Sequence, residues 1–149
     1  MNKHDKFMAE AIKEAYKGIK ANHGGPFGAV IVKNGKIISK AHNQVVKNQD
    51  PTAHGEMLAI RAACKKLKSF DLTGCVIYTT GFPCPMCMGA CKWAHIKQVY
   101  YGCDENDTAK IGFDDKKFYR WMLKATNVNH KECLKLYAYY KKLKHKTHY

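Results

Sequence analysis

The sequence predicts an α/β fold in which helices sandwich a mixed sheet. Apolar residues recur at three- and four-residue steps in several segments, the mark of amphipathic helices. Short β-rich runs alternate with those segments after an opening hairpin. The 149 residues are 46% hydrophobic, enough for one core in a domain of this size. The longest apolar run is about six residues, Phe27 to Val32, far short of the roughly 20 that cross a bilayer.

Each element follows from its own signals. Residues 3–20 place Phe7, Met8, Ala11, Ile12, Ala15, Tyr16 and Ile19 on one stripe, and Asn22 with Gly24-Gly25-Pro26 closes this helix. Phe27 to Val32 and Lys36 to Lys40 flank Asn34-Gly35, the strongest short hairpin signal. Gln49-Asp50-Pro51 opens a second helix, with Asp50 as N-cap and Pro51 as its first residue, and this helix runs to about Leu67. Cys75 to Thr80 is a buried strand, Pro83 to Ala94 a third helix, and Gln98 to Gly102 another strand. Residues 103–114 are polar and irregular. Lys116 to Lys124 and Lys131 to Leu143 are helical, the second with Leu134, Tyr137 and Ala138 on one stripe. No Pro- or Ser-rich linker and no internal repeat divides the chain, so residues 1–149 form a single domain.

Charge and cysteine usage narrow the function. There are 26 Lys and Arg against 12 Asp and Glu, a formal net charge of +14. That balance raises nucleic acid as a partner. Only Arg61 and Arg120 are arginine, however, and readers of phosphate and guanine edges lean on Arg. The lysines are spread along helices, so a solvated basic surface is the simpler reading. Seven cysteines stand at 64, 75, 84, 87, 91, 103 and 133. Their odd number, and an N-terminus MNKHDKF without a secretory signal, point to a reducing cytoplasm with metal-binding or buried thiols.

Two short stretches carry chemistry: Pro51-Thr52-Ala53-His54-Gly55-Glu56 and Pro83-Cys84-Pro85-Met86-Cys87. Each sets metal-type donors at the start of a predicted helix. Cys84 and Cys87, three apart, share one helical face. His54, Cys84 and Cys87 make a three-donor zinc set, which leaves a fourth position for water, as in catalytic zinc sites. Two thiolates and a neutral imidazole balance the charge of the ion. Partial positive charge at two helix starts favours the thiolates. Glu56 is placed to take a proton from the water.

Competing readings exist. A thioredoxin-like redox pair also shows Cys-x-x-Cys after a strand, but flanking prolines and a His-x-Glu do not belong to it. Cys84, Cys87, Cys91 and His95 continue one helical face and form a four-donor structural site as a second alternative. Cys64, Cys75, Cys103 and Cys133 are read as small apolar residues.

The pairing of His-x-Glu with Pro-Cys-x-x-Cys is the signature of the zinc nucleobase deaminases. At GGPFGAV (24–30), NQDPTAHGE (48–56), PCPMCMGA (83–90) and GFDD (112–115), the chain resembles the cytidine-deaminase-like superfamily. Its nearest likeness there is to the bacterial guanine deaminases. GFDD separates that subgroup from the tRNA adenosine deaminases, and a C-terminal Tyr, here Tyr149, is another of its marks. The resemblance implies a three-layer α/β/α sandwich around a mixed five-stranded sheet. It implies one catalytic zinc ion per subunit, held by His54, Cys84 and Cys87, and hydrolysis of guanine to xanthine and ammonia in purine catabolism or salvage. Glu56 would carry protons and Asp115 would serve the leaving amine. Asn43 would hydrogen-bond the purine, Phe27 and Trp93 would wall it, Asp114 would stand beside it, and Tyr149 would close the lid. The resemblance also implies a cytoplasmic homodimer in which about residues 131–149 are exchanged between subunits.

The sequence departs from the family pattern in two places within the motifs. Gly55 stands where Ala is usual, which points to a reason such as close approach of the substrate ring. Phe82 stands where Glu is usual before Pro83, which would reshape the rim of the site. Three other functions are carried forward: a deaminase of adenosine in tRNA, a deaminase of another small molecule (cytosine, guanosine or an aminotriazine), and a non-catalytic zinc-stabilised RNA-binding module.

Overall fold

The computed structural model describes residues 2–119, 124 and 126–147. Helix α1 (Lys3–Lys20) begins where the Asn2 side chain accepts from the Asp5 amide, an N-cap bond that satisfies one of the open donors of the first turn. Strands β1 (Gly28–Lys33) and β2 (Lys36–His42) form the hairpin expected at Asn34-Gly35. Both turn residues have positive φ, 50° and 74°, as this turn requires. A short helix α2 (Val45–Asn48) follows, then α3 (Gly55–Leu67), β3 (Cys75–Gly81), α4 (Pro85–Trp93), β4 (Gln98–Cys103), α5 (Glu105–Lys110), a 3-10 turn (Lys116–Tyr119) and α6 (His130–Lys142).

The sheet order is β2-β1-β3-β4. β1 pairs antiparallel with both β2 and β3, and β3 pairs parallel with β4. The sheet is therefore mixed, as expected. It has four strands among the described residues, not five. The four correspond to the four β-rich runs of the sequence. After β4 the chain turns into α5, where Asp104 and Asp107 close a reciprocal capping box. The polar run Glu105–Lys110 has no alternating apolar face to lay on a sheet.

Two apolar clusters make three layers. Val30, Val32 and Tyr78 face α1 through Ala11, with Phe7 and Met8 alongside. Ala29, Ile31 and Ile77 face the other way, onto Ala59 and Ala63 of α3 and Cys91 of α4. β1 is thus covered on both faces, which explains its continuous apolar sequence. Close approach of α1 to β1 requires Gly28: a Cβ there would stand 2.0 Å from the Ala11 carbonyl oxygen and 2.8 Å from the Ala15 nitrogen.

Several boundaries differ from expectation. α3 starts at Gly55 with His54 as N-cap, not at Pro51. The Asp50 carboxylate accepts from the Thr52 amide and hydroxyl, and this turn competes with helix at residues 50–53. α4 starts at Pro85, with Cys84 as N-cap. The expected helix at 116–124 is a 3-10 turn over Lys116–Tyr119, and residues 120–123 lie outside the described set. No helix among the described residues is long and apolar enough to cross a membrane.

Gly28→Ala should lower stability by about 1–3 kcal/mol, as overpacking does. A urea melt whose midpoint equals that of the parent would refute the tight α1–β1 seam.

Candidate active site

The starts of α3 and α4 meet. His54 and Cys84 are the N-cap residues of these helices, and neither side chain caps its own helix. Both side chains are therefore left to face each other. His54 Nδ1 lies 3.6 Å from Cys84 Sγ and 3.6 Å from Cys87 Sγ. Donor atoms of the three residues all fall within 4.8 Å of one another. Zn–N and Zn–S bonds of ordinary length at a tetrahedral angle separate N and S donors by roughly 3.6 Å. One imidazole and two thiols, two of them buried, therefore fit a zinc ion by both type and spacing.

Electrostatics fit the same reading. The Cys87 thiol, donating to Cys84, holds the Cys84 sulfur down to about 4, with His54 assisting. Cys87 is pushed up by that same bond and by its burial. The bond to Cys84 raises the His54 imidazole. Glu56, in the first turn of α3, is only 6% exposed. Burial pushes its carboxyl above the usual carboxylate range. Asp115 is raised too, first by burial and then by Cys84.

These groups form one side of a cavity of ≈ 460 Å³, a volume typical of small-molecule sites. Phe27, Asn43, His54, Glu56, Cys84 and Asp115 line it. Cys87, fully buried, stands behind. Trp93 does not line this cavity. It sits at the far end of α4, 66% exposed, in a groove with Ile60, Phe70 and Ala90. Trp93 is the last residue of α4, and the rise of about 1.5 Å per residue carries it roughly 13 Å from the Cys84 end. Asp114 is exposed and outside the lining, while its neighbour Asp115 points in. Tyr149 lies outside the described residues. Cys91 is buried in the core and His95 bonds Asp71 at 3.1 Å. Among the described residues, the four-donor structural site does not assemble.

The cavity also holds residues with no chemical signal of their own. Phe113, inside GFDD, packs edge-on against Phe27 at 5.1 Å and 84°. Phe82 lines the rim and packs edge-on against Tyr101, so the departure from Glu places an aromatic ring at the site. Gly24, Gly25, Val45 and Val46 complete a wall. Gly24-Gly25 read in sequence as a helix stop. A Cβ at Gly24 would stand 2.1 Å from Asn43 Oδ1, a reason no single-sequence reading supplies. Gly55 does mark a close approach, but to backbone: its Cβ would meet the Phe27 carbonyl at 3.2 Å.

Comparison with known proteins decides the family. Residues 1–103 match the model of the cytidine and deoxycytidylate deaminase zinc-binding region. The chain belongs to this deaminase family. It is 49% identical over 117 residues to guanine deaminase from Bacillus subtilis, covering 78% of this chain and 75% of that one. The crystal structure of the Bacillus subtilis guanine deaminase superposes with a TM-score of 0.93 at 41% identity, covering 100% of this chain and 99% of that chain. A tRNA-specific adenosine deaminase from Aquifex aeolicus is 46% identical over 95 residues, which are 64% of this chain and 62% of that protein. The chain is a hydrolytic aminohydrolase of this family, and His54, Cys84 and Cys87 are its metal-type donors.

Cys87→Ala should abolish stoichiometric zinc, and Cys91→Ala, one turn on, should retain it, as measured by elemental mass spectrometry on purified protein. Retention in the first variant, or loss in the second, contradicts the three-donor assignment.

Proposed function

We propose that this site hydrolyses guanine, releasing xanthine and ammonia, as a step of purine catabolism or salvage. The observation that carries the reading is a buried Glu56 beside the His54–Cys84–Cys87 cluster, at the base of a cavity walled by phenylalanine. Likeness to guanine deaminase over the whole chain supports it, and likeness to tRNA deaminases covers less.

One zinc ion per subunit, on His54, Cys84 and Cys87, would lower the pKa of a bound water toward about 7. Glu56 then accepts the proton of the attacking water on a carboxylate oxygen. Its burial favours the protonated form, so it takes that proton readily, and it then delivers it to the ring nitrogen beside C2. Asp115, on the same cavity, carries the proton of the new C2 hydroxyl to the departing amine as the C2–N bond breaks and the C2 carbonyl forms. The reaction balances as guanine plus water giving xanthine plus ammonia. Asn43 Oδ1 is held by the Val45 amide at 3.0 Å, so its amide NH2 is the group presented to the base. Phe27 lies along the ring, and Phe113 braces it.

The partner is a second copy of the chain, in the cytoplasm. α6 leaves Leu134, Leu136, Tyr137 and Tyr139 exposed and makes no extended contact with another described element. A segment of this kind suits exchange across a homodimer, bringing Tyr149 over the partner's cavity. Trp93, exposed at the end of α4, and Asp114 would act on the base only through such an assembly.

The net charge of +14 and the tRNA-specific relatives favour one other reading, adenosine in tRNA. Ammonia release from guanine, cytosine, adenine and tRNA separates the two. Guanine is the expected substrate, and turnover confined to tRNA, falling steeply with salt, refutes it. Glu56→Gln should retain zinc while kcat falls by about 10²–10⁴-fold, the usual worth of a positioned acid–base group. A fully active Glu56→Gln enzyme overturns this mechanism.

A further inference from the structure

Beside the cavity, and outside the cluster described above, three titratable side chains form a line. His42 ends β2 and is 5% exposed. Its Nδ1 lies 2.9 Å from Glu14 Oε2 of α1, and its Nε2 lies 2.8 Å from His23 Nδ1. The two imidazoles are nearly parallel, 20° apart. α1 carries Gly18 where the ring passes: a Cβ there would stand 2.6 Å from His42 Cδ2. Glycine inside a helix costs roughly 1 kcal/mol against alanine, so this passage is bought at some expense.

The chemistry of the end member sets the direction of the chain. An ionised carboxylate only accepts, so His42 donates from Nδ1, and in its neutral form it leaves Nε2 bare. His23 must then donate from Nδ1. Burial, with Lys47, His42 and Lys17 nearby, holds the His23 imidazole below the usual histidine range, which favours the neutral ring that can donate in this sense.

What hangs on His23 gives the chain its meaning. The His23 carbonyl accepts from the amides of Val46 and Lys47, at 2.9 and 3.0 Å. Its amide donates to the Gly18 carbonyl at 2.9 Å. Gly24, next in sequence, lies against Asn43 Oδ1. Asn43 follows His42 and is fixed by its amide to the Phe27 carbonyl at 2.8 Å. The wall made by Gly24, Asn43, Val45 and Val46 is thus tied at both ends to one imidazole pair. His54, Cys84 and Cys87 stand on other elements.

We propose that Glu14, His42 and His23 are positioning residues that set the base-facing wall, and so govern affinity for the purine without touching it or the metal cluster. The substrate part of this inference rests on the guanine reading above.

Wild-type, His23→Ala and His23→Asn proteins, all loaded with zinc, test it. Nitrogen NMR of the wild-type imidazoles should show His42 protonated on Nδ1 and bare on Nε2. His23→Ala should raise KM for guanine about tenfold, with kcat changed by less than about threefold, the scale of one lost hydrogen bond to a buried acceptor. Zinc content should not change. His23→Asn, whose amide can donate to the same nitrogen, should bring KM back to within about threefold of wild type. A wild-type KM in His23→Ala, an Asn variant as impaired as the Ala variant, or a His42 ring protonated on Nε2 and bare on Nδ1 each overturns the proposal. A wild-type protein inactive on guanine refutes the substrate reading alone. The chain is then judged by the nitrogen spectra and by hydrogen exchange at Val46 and Lys47, which should quicken in His23→Ala and not in His23→Asn.

Discussion

The active site depends on two helices that begin at the same point. An N-cap side chain ordinarily turns back to satisfy the open amides of its own first turn. His54 and Cys84 hold N-cap positions and do neither. Their donor atoms are spent on each other instead, while two sets of first-turn amides keep a positive field on the space between them. A soft cation, thiolate sulfur and a carboxylate can share that space. The field is held in place by packing, since α3 and α4 lie on the same sheet face through Ala59, Ala63, Cys91 and Ala94. Small side chains there let the helices seat closely on β1 and β3. The parallel pairing of β3 with β4 then requires α4 as a crossover, so its start falls beyond the end of β3, where Cys84 stands.

The opposite wall is built by another rule. It consists of loop and turn backbone brought to contact distance, with few long side chains. Gly24 abuts Asn43, Gly55 abuts the Phe27 carbonyl, and Gly25 abuts Phe27 and Phe113. Backbone bonds then lock these approaches, among them Asn43 to Phe27 and Gln44 to Ala53. Rigidity matters because a flat base offers a few hydrogen-bond sites and two faces. An amide displaced by an ångström no longer reads them.

The two walls explain which parts were legible in the sequence. The hairpin, the four strands and α1 follow from local signals that the tertiary structure reinforces. His54, Glu56, Cys84 and Cys87 were legible because metal chemistry admits few residue types at few spacings. The helix starts fall later than local signals place them: Pro51 is a good first helical residue, but the Asp50 carboxylate accepts from Thr52 instead. α5 was hidden because polar helices held by a capping box leave no apolar period. The fifth strand belonged to the resemblance and to no run in this chain. The family pattern sets Trp93 at the cavity, and the length of α4 carries it out of the subunit's own site. The Glu14–His42–His23 line had no signal at all, since its members are 28 and 19 residues apart and only the sheet brings them together.

The same division accounts for how one family can act on different bases. The donors and Glu56 sit at helix starts that packing binds to the sheet. The rest of the cavity lining is carried largely by residues 22–27, 43–46 and 113–118. The family match ends at residue 103, so Phe113 and Asp115 lie beyond the shared part while lining the same cavity. Phe82 shows the principle within the shared part: it sits two residues before Cys84, yet it turns its ring to Tyr101 and the rim. On the proposed reading, substrate choice resides in aromatic and loop residues that alter the cavity without moving the helix starts. Relatives with similar metal motifs and different named substrates are the expected outcome of that arrangement.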